Sequence, residues 1–280
     1  MGKFDGVLLA SDFDNTLIYT EEALRLGQAL PGLPERNRRA LQYFMEQGGR
    51  FALATGRALP SIAPLAGEVP MNAPGVICNG ASLYDFQKQE YLYSALLDGA
   101  VRERGQQLLD AFPAVACEAY HIDNVIHAVQ PNAITRNHAH MTHVGLVEVE
   151  TLMQVPLPLG KLLFEGEHAE LEQLSARMAQ YGWAEDYERI FSSPSLLEVT
   201  ARGANKGAMV RRLAQTLGIA PEHIYCIGDE ANDLSMLAIS AVPYAPANCI
   251  PAVAASGAVV VSHARDGALA DMVADLDRRY

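Results

Sequence analysis

Cysteine is scarce in this chain and scattered along it. Cys78, Cys117, Cys226 and Cys249 form no C-x-x-C pair, so neither a zinc site nor a disulfide framework is indicated. They read as small buried residues in a reducing compartment. No uninterrupted apolar run approaches the length of a transmembrane helix. The N-terminus has no basic segment followed by a long apolar core, so no secretory signal is expected and a cytoplasmic location is the default expectation. Internal repeats and low-complexity segments are absent. Positive charge is also in short supply: 21 Lys and Arg against 33 Asp and Glu give a net charge of −12. That balance argues against nucleic acid or an anionic membrane surface as a partner. A phosphorylated substrate stays open, because a bound metal or one lysine can invert the local field.

Half of the 280 residues are apolar and 19% are charged, the make-up of an ordinary globular protein of one large or two smaller domains. The stretch Leu8-Leu9-Ala10-Ser11-Asp12-Phe13-Asp14-Asn15-Thr16-Leu17 organises the rest. A short apolar run, read as a buried strand, ends in two aspartates and a threonine. In extended chain the side chains at i and i+2 point the same way, so both carboxylates are expected to face one site. Crowded carboxylates require a cation, a shared proton or solvent, and Mg²⁺ suits hard oxygen ligands. Taken alone, the string is read equally well as turn chemistry at a strand exit.

Three further apolar strands end in polar residues or glycine: Phe51–Ala54 before Thr55-Gly56-Arg57, Gly75–Cys78 before Asn79-Gly80, and Ile224–Ile227 before Gly228-Asp229. Helical spacing predicts helices over 34–47, 205–217, 231–239 and 266–276. Short apolar strands alternating with helices predict an α/β fold, a doubly wound and mainly parallel sheet with its site along one edge. Between about 85 and 194 the texture changes. Candidate strands Ala114–Tyr120, Asn124–Val129 and Gly160–Phe164 mix polar and apolar residues, as in a sheet with one wet face. Helices are expected over 99–112 and 167–181. The expected organisation is a core from 1–84 and 195–280 with an α+β domain, 85–194, inserted between its halves.

The polar clusters at these strand ends, with Lys206 at the start of a helix, supply carboxylates, a hydroxyl and a cation. Mg²⁺-dependent phosphoryl transfer through an aspartyl-phosphate needs those parts. The ordered set D-x-D-x-T, T-G-R, N-G, N-K-G and G-D-x-x-N-D, spanning 12 to 233, resembles the haloacid-dehalogenase superfamily, and within it the Cof-type (class IIB) phosphatases. Their α/β cap is inserted between the second and third motifs.

The resemblance implies a role for each matching residue. Asp12 matches the nucleophile, and Asp14 the general acid/base, with its backbone carbonyl on Mg²⁺. Thr16 belongs to the same loop and is expected near the substrate. Thr55 and the Gly56 backbone would hold the phosphoryl oxygens, and Lys206 would neutralise the nucleophile and phosphoryl group. Asp229 matches the Mg²⁺ ligand beside Asp12 and Asp14. Asn232 and Asp233 match supporting positions, Asn232 near the phosphoryl group and Asp233 near the metal. Arg57 and Asn79 match positions at the substrate entrance. Mg²⁺ and Lys206 are expected to keep Asp12 ionised, and a different environment to keep a proton on Asp14. The family often has Gly where this chain has Asn15, and at one or both of Glu230 and Ala231. Its late Met-Gly-Asn-Ala-like turn reads Tyr244-Ala245-Pro246-Ala247-Asn248 here.

The activity this implies is hydrolysis of a small soluble phosphomonoester, a sugar phosphate or nucleotide-like metabolite, with the cap excluding water and large substrates. The alternatives are a phosphomutase or phosphotransferase, a sucrose- or mannosylglycerate-phosphate type phosphatase, and, from another class, a phospho-accepting signalling module. Asp14 argues against the last, since it equips the site for rapid hydrolysis. In the inserted domain His121, Asp123, Asn124 and His127 are candidates to face a substrate. His138, His140 and His143 have no carboxylate or cysteine beside them in sequence and read as a solvated cluster.

Overall fold

In the computed structural model, which describes residues 2–280, the chain divides into two compact units. One comprises 2–56, 63–93 and 206–280, the other 57–62 and 94–205. Among the described residues no helix is long and apolar enough to cross a membrane.

The first unit is built on a five-stranded parallel sheet. Its order is Val259–Val260, Pro243–Ala245, Ile224–Ile227, Leu8–Ser11, Arg50–Leu53. Leu8 is in register with Ile224 on one side and Arg50 on the other. The chain therefore starts in the middle, runs outward to one side, and returns later on the other. Leu8–Ser11 lies at the switch point of a doubly wound sheet, where the connections leave a crevice at the strands' carboxyl ends. All four of its residues are buried, which explains a run with no polar alternation. Leu8, Ala10, Ala52 and Cys226 pack on Met209, Val210 and Leu213 of the helix Lys206–Thr216. The helix Glu35–Glu46 packs against Ala268–Arg279, where its buried Asn37 ties the two ends of the chain. Asn37 Nδ2 donates to the Leu17 carbonyl at 3.0 Å, and Asn37 Oδ1 accepts from Ala270 N–H at 3.0 Å.

The predicted strands of this sheet are found within a residue or two of their expected ends. The third, Gly75–Ile77, differs in company. It touches the main sheet only through an Ala54–Val76 bridge and pairs antiparallel with Ser82–Asp85.

The second unit holds a six-stranded sheet ordered Tyr187–Ser193, Leu196–Ala201, Leu159–Glu165, Ala116–His121, Ile126–Val129, Leu146–Val149. It is antiparallel except for the last pair. Cys117, Ala119, Leu162, Phe164, Leu197 and Val199 form one face, and pack on Leu108, Leu171, Leu174 and Met178 of the helices Val101–Ala111 and His168–Gln180.

Two expectations are corrected here. The segment 195–200 lies in the stretch expected to belong to the core. It is a strand, but Leu197 and Val199 belong to the second unit's apolar cluster, and it pairs antiparallel on both sides within that sheet. The boundaries accordingly fall near 93/94 and 205/206, not 84/85 and 194/195. The expected wet face is not wet. Glu118, Lys161, Glu165, Glu198 and Thr200 alternate with the apolar set, yet all are buried. Mutual pairing makes this tolerable: Lys161 Nζ lies 2.8 Å from Glu198 Oε2 and 4.3 Å from the centre of the Tyr120 ring.

Candidate active site

The carboxyl end of Leu8–Ser11 delivers Asp12, whose N–H continues the ladder by donating to the Ile227 carbonyl at 3.0 Å. The chain then turns sharply. Asn15 adopts φ +56°, a conformation Asn tolerates better than most side chains. Its Oδ1 accepts from Thr20 N–H (3.1 Å) and Glu21 N–H (2.9 Å), and its carbonyl accepts from Asn248 Nδ2 at 2.7 Å. Asn15 thus replaces the family's frequent Gly without loss of the turn, and the divergent 244–248 segment supplies a strut to it. Asp14 is half-buried, and its Oδ1 accepts from the Thr20 hydroxyl at 2.8 Å. Thr20 did not stand out in the sequence, because it acts on the loop's shape and lies outside the motifs; Asn248 was visible only as part of a divergent turn.

Lys206 opens its helix with the side chain fully enclosed. Its Nζ donates to Asp12 Oδ1 and to Asp233 Oδ1, both at 2.6 Å. The other oxygen of Asp233 accepts from the N–H groups of Asp229 (2.9 Å) and Glu230 (3.0 Å). One carboxylate thereby fixes both the lysine and the loop that carries Asp229. Gly228 is required for this, since a Cβ there would come 2.4 Å from Asp233 Cγ. Asp229 Oδ1 accepts from the Thr16 hydroxyl at 2.6 Å. Thr16 is wholly buried with its hydroxyl committed to Asp229. In this geometry it supports Asp229.

One carboxylate oxygen each from Asp12, Asp229 and Asp233 lies within 4.8 Å of the others. Burial, Asp233 and Asp14 push the Asp12 carboxyl up, against the pull of Lys206, to about 7. Burial, with Asp12 and Asp233, also raises Asp229 well above the usual carboxylate range, against Thr16 and Lys206. Burial pulls the Lys206 ammonium down, but the two carboxylates reverse this and raise it. Lys206 without a metal ion therefore does not bring Asp12 down to the ordinary carboxylate range. Three buried carboxylates share one ammonium, and a divalent cation in an all-oxygen donor set is what such an excess of negative charge accommodates.

Around this cluster, Thr55 is buried at the end of Arg50–Leu53, with its N–H on the Val76 carbonyl at 2.9 Å. Asn79 N–H donates to the Thr55 carbonyl at 3.1 Å. Gly56 lies against Asn79, where a Cβ would approach Nδ2 to 2.9 Å. Asn232 Nδ2 donates to Asn79 Oδ1 at 3.0 Å, while Asn79 Nδ2 and Asn232 Oδ1 are buried without a partner. Buried amide atoms of this kind are expected to find a partner, and a bound ligand can be one. Arg57 falls in the second unit, where it donates to Ser61 Oγ at 2.9 Å.

Of the inserted-unit candidates, His121, Asp123 and Asn124 form the turn between two strands. Asp123 Oδ1 accepts from Val125 N–H at 2.9 Å and lies 2.7 Å from His121 Nδ1. His127 is buried opposite Ala119, on the helix-covered face.

The chain is similar along most of its length to several known phosphatases. It is 26% identical to the HMP-PP phosphatase of Serratia proteamaculans, over 87% of this chain and 85% of that one. It is 25% identical to the 5-amino-6-(5-phospho-D-ribitylamino)uracil phosphatase YitU of Bacillus subtilis, over 88% of each. In three dimensions it resembles a haloacid dehalogenase-like hydrolase from Bacteroides thetaiotaomicron, with a TM-score of 0.79 and 22% identity over 98% of this chain and 99% of that one. A family model matches residues 9–273, and the chain belongs to the haloacid dehalogenase-like hydrolases.

Proposed function

We propose that the protein is a Mg²⁺-dependent phosphatase that hydrolyses small phosphomonoesters through an aspartyl-phosphate on Asp12. The observation that carries this reading is Lys206 Nζ, 2.6 Å from both Asp12 and Asp233, at the sheet's switch point. A buried, lysine-paired carboxylate beside further carboxylates is equipped to attack phosphorus once the surplus charge is balanced. The side chains of Asp12 and Asp229 and the Asp14 carbonyl would hold Mg²⁺, with Asp233 supporting them through the 229–230 backbone. The ion supplies charge neutralisation at the carboxylates and the phosphoryl oxygens.

Asp12 attacks the phosphorus as the bond to the leaving oxygen breaks, and Asp14 gives that oxygen its proton. Asp14 then takes a proton from water, which attacks the phosphoryl group and releases phosphate and free Asp12. Lys206 balances the charge on Asp12 throughout. The Thr55 hydroxyl, the Gly56 N–H and the unpartnered amide atoms of Asn79 and Asn232 are suited to hold phosphoryl oxygens.

The second unit is assigned the role of a substrate-selecting cap, to which Arg57 belongs. The relatives named above are called phosphatases of small phosphorylated compounds, and the same substrate class is proposed for this chain. Its four free thiols suit the cytoplasmic location expected from the sequence.

The test is phosphate release from a panel of phosphorylated metabolites, with Mg²⁺ or EDTA, for the wild type and Asp12→Asn. Turnover that needs Mg²⁺ and disappears in Asp12→Asn supports the reading. Equal turnover in a contaminant-free Asp12→Asn preparation overturns the nucleophile. Isomerised substrate without free phosphate overturns hydrolysis in favour of transfer.

A further inference from the structure

A second cluster of ligating side chains lies wholly inside the inserted unit. Glu118 comes from Ala116–His121, Glu165 from the end of Leu159–Glu165, and His138 from the helix Ala133–Thr142. One ligand atom from each lies within 4.8 Å of the others. Both glutamates are 0% exposed, and neither carboxylate oxygen of Glu165 accepts a hydrogen bond of good geometry, although His138 and Thr135 lie beside them. The Thr135 hydroxyl, one turn before His138, is turned to Asn132 Oδ1 at 3.3 Å.

His138 Nδ1 is 3.4 Å from Glu118 Oε1, 3.3 Å from Glu118 Oε2 and 3.2 Å from Glu165 Oε1. A single ring N–H shared among three oxygens satisfies none of them well, and charge-assisted N–H···O bonds are shorter, about 2.7–2.9 Å. The separation of the imidazole nitrogen from each carboxylate also matches that between two donors on one metal ion. Zinc–nitrogen and zinc–oxygen bonds of about 2.0–2.1 Å in a tetrahedral shell put neighbouring donors roughly 3.3 Å apart. Two carboxylates and a neutral imidazole around a divalent ion sum to zero charge. Without a metal, protons do that balancing: burial lowers His138, but Glu118 and Glu165 raise it to about 9, and burial raises Glu165, so a bound ion would displace protons from the cluster.

The surroundings hold the donors as the outer partners of a metal centre do. The Tyr120 hydroxyl donates to Glu118 Oε2 at 2.5 Å. Asn132 caps the His138 helix through Ile134 N–H (2.9 Å) and Thr135 N–H (3.1 Å). It also donates from Nδ2 to the backbone carbonyl of Glu165 at 3.0 Å, so helix and strand are fixed together. His138 keeps 15% of its side chain exposed, which leaves an entry path.

We propose that Glu118, His138 and Glu165 bind one divalent first-row transition-metal ion, a site separate from the aspartate cluster of the first unit. The ion joins the helix Ala133–Thr142 to the sheet. Imidazole favours zinc-like ions over Mg²⁺, so the two sites differ in metal preference as well as place.

The probe is Zn²⁺ on the full chain carrying Asp229→Asn, which weakens the other cluster. After equilibration and dialysis, zinc per chain is measured by atomic emission, affinity by calorimetry, and the His138 ring nitrogens by NMR. One zinc per chain is expected, with loss of the Nδ1 proton signal of His138. His138→Gln and Glu165→Gln on the same background should each weaken binding roughly 100-fold or more, with near-UV circular dichroism checking their fold. Absence of bound zinc, or one zinc bound while His138 Nδ1 keeps its proton, overturns the proposal without reference to either variant. Unchanged affinity in folded Glu165→Gln does so too.

Discussion

Replacing Lys206 by Met removes the one ammonium among three buried carboxylates and keeps most of the side chain's volume. Lys206 makes two ion pairs at 2.6 Å, with its side chain 1% exposed and those of Asp12 and Asp233 9% and 0%. Breaking a buried pair by deleting one partner costs about 3–5 kcal/mol, because the other charge is left uncompensated. Two carboxylates lose a partner here, so metal-free Lys206→Met at pH 7.5 should lie near the upper end. For a unit of this size that is a fall in Tm of roughly 10–20 °C.

The loss should depend on pH with a definite sign. Asp12 and Asp229 already have raised folded pKa values, against the pull of Lys206, and its removal raises them further. An acid whose pKa is higher folded than unfolded binds more protons in the native state. Its stabilising contribution is complete below the unfolded value, near 3.8, and disappears as pH rises through the folded value. The gap in Tm between wild type and Lys206→Met should therefore narrow between pH 7.5 and pH 5, and narrow also on adding Mg²⁺ at pH 7.5. Differential scanning calorimetry in EDTA at both pH values and in Mg²⁺ at pH 7.5 reads all six Tm values. A metal-free gap below about 4 °C, or one that widens on acidification, would refute the charge argument.

Other substitutions probe the supports. Thr16→Val removes the 2.6 Å bond to Asp229 and should raise the Mg²⁺ concentration for half-maximal phosphate release by roughly 10–100-fold, as loss of a ligand's hydrogen-bond partner does elsewhere; an unchanged Mg²⁺ titration would remove Thr16 from the metal's support. Gly228→Ala places a methyl group 2.4 Å from Asp233 Cγ, and should lower kcat at least as much as it lowers stability, read by paired kinetics and melting. Asn132→Ala deletes a cap that satisfies two helix N–H groups and should destabilise the second unit by about 1 kcal/mol, measured by urea unfolding with the Trp183 fluorescence as reporter.

The sites were legible to different degrees, for a physical reason. Asp12, Asp229 and Lys206 sit at strand exits or a helix start, where a polar residue interrupts an apolar pattern and so announces itself. The Glu118–His138–Glu165 cluster gave no such signal. Its carboxylates lie mid-strand or at a strand end, among residues whose alternation reads as an ordinary solvated face, and 20 residues separate His138 from Glu118. Period-2 alternation reports that two faces differ, not that the polar one is exposed. Leu196–Ala201 misled for a related reason. Its apolar residues are as well suited to an antiparallel sheet as to the parallel one, and only pairing decides between them. Thr16 was visible as part of a motif, but its partner lies 213 residues away.

That separation has a consequence for synthesis on the ribosome. Asp12 emerges well before its partners: Lys206 follows 194 residues later and Asp229 later still. The central strand Leu8–Ser11 likewise waits for Ile224–Ile227. Most of the second unit is one continuous segment, 94–205, and can close its sheet while the first half of the site is still a half-sheet without its partner strand. While 94–205 is being made, the nascent chain thus carries Asp12 with neither the lysine nor the acidic loop that the proposed mechanism pairs with it.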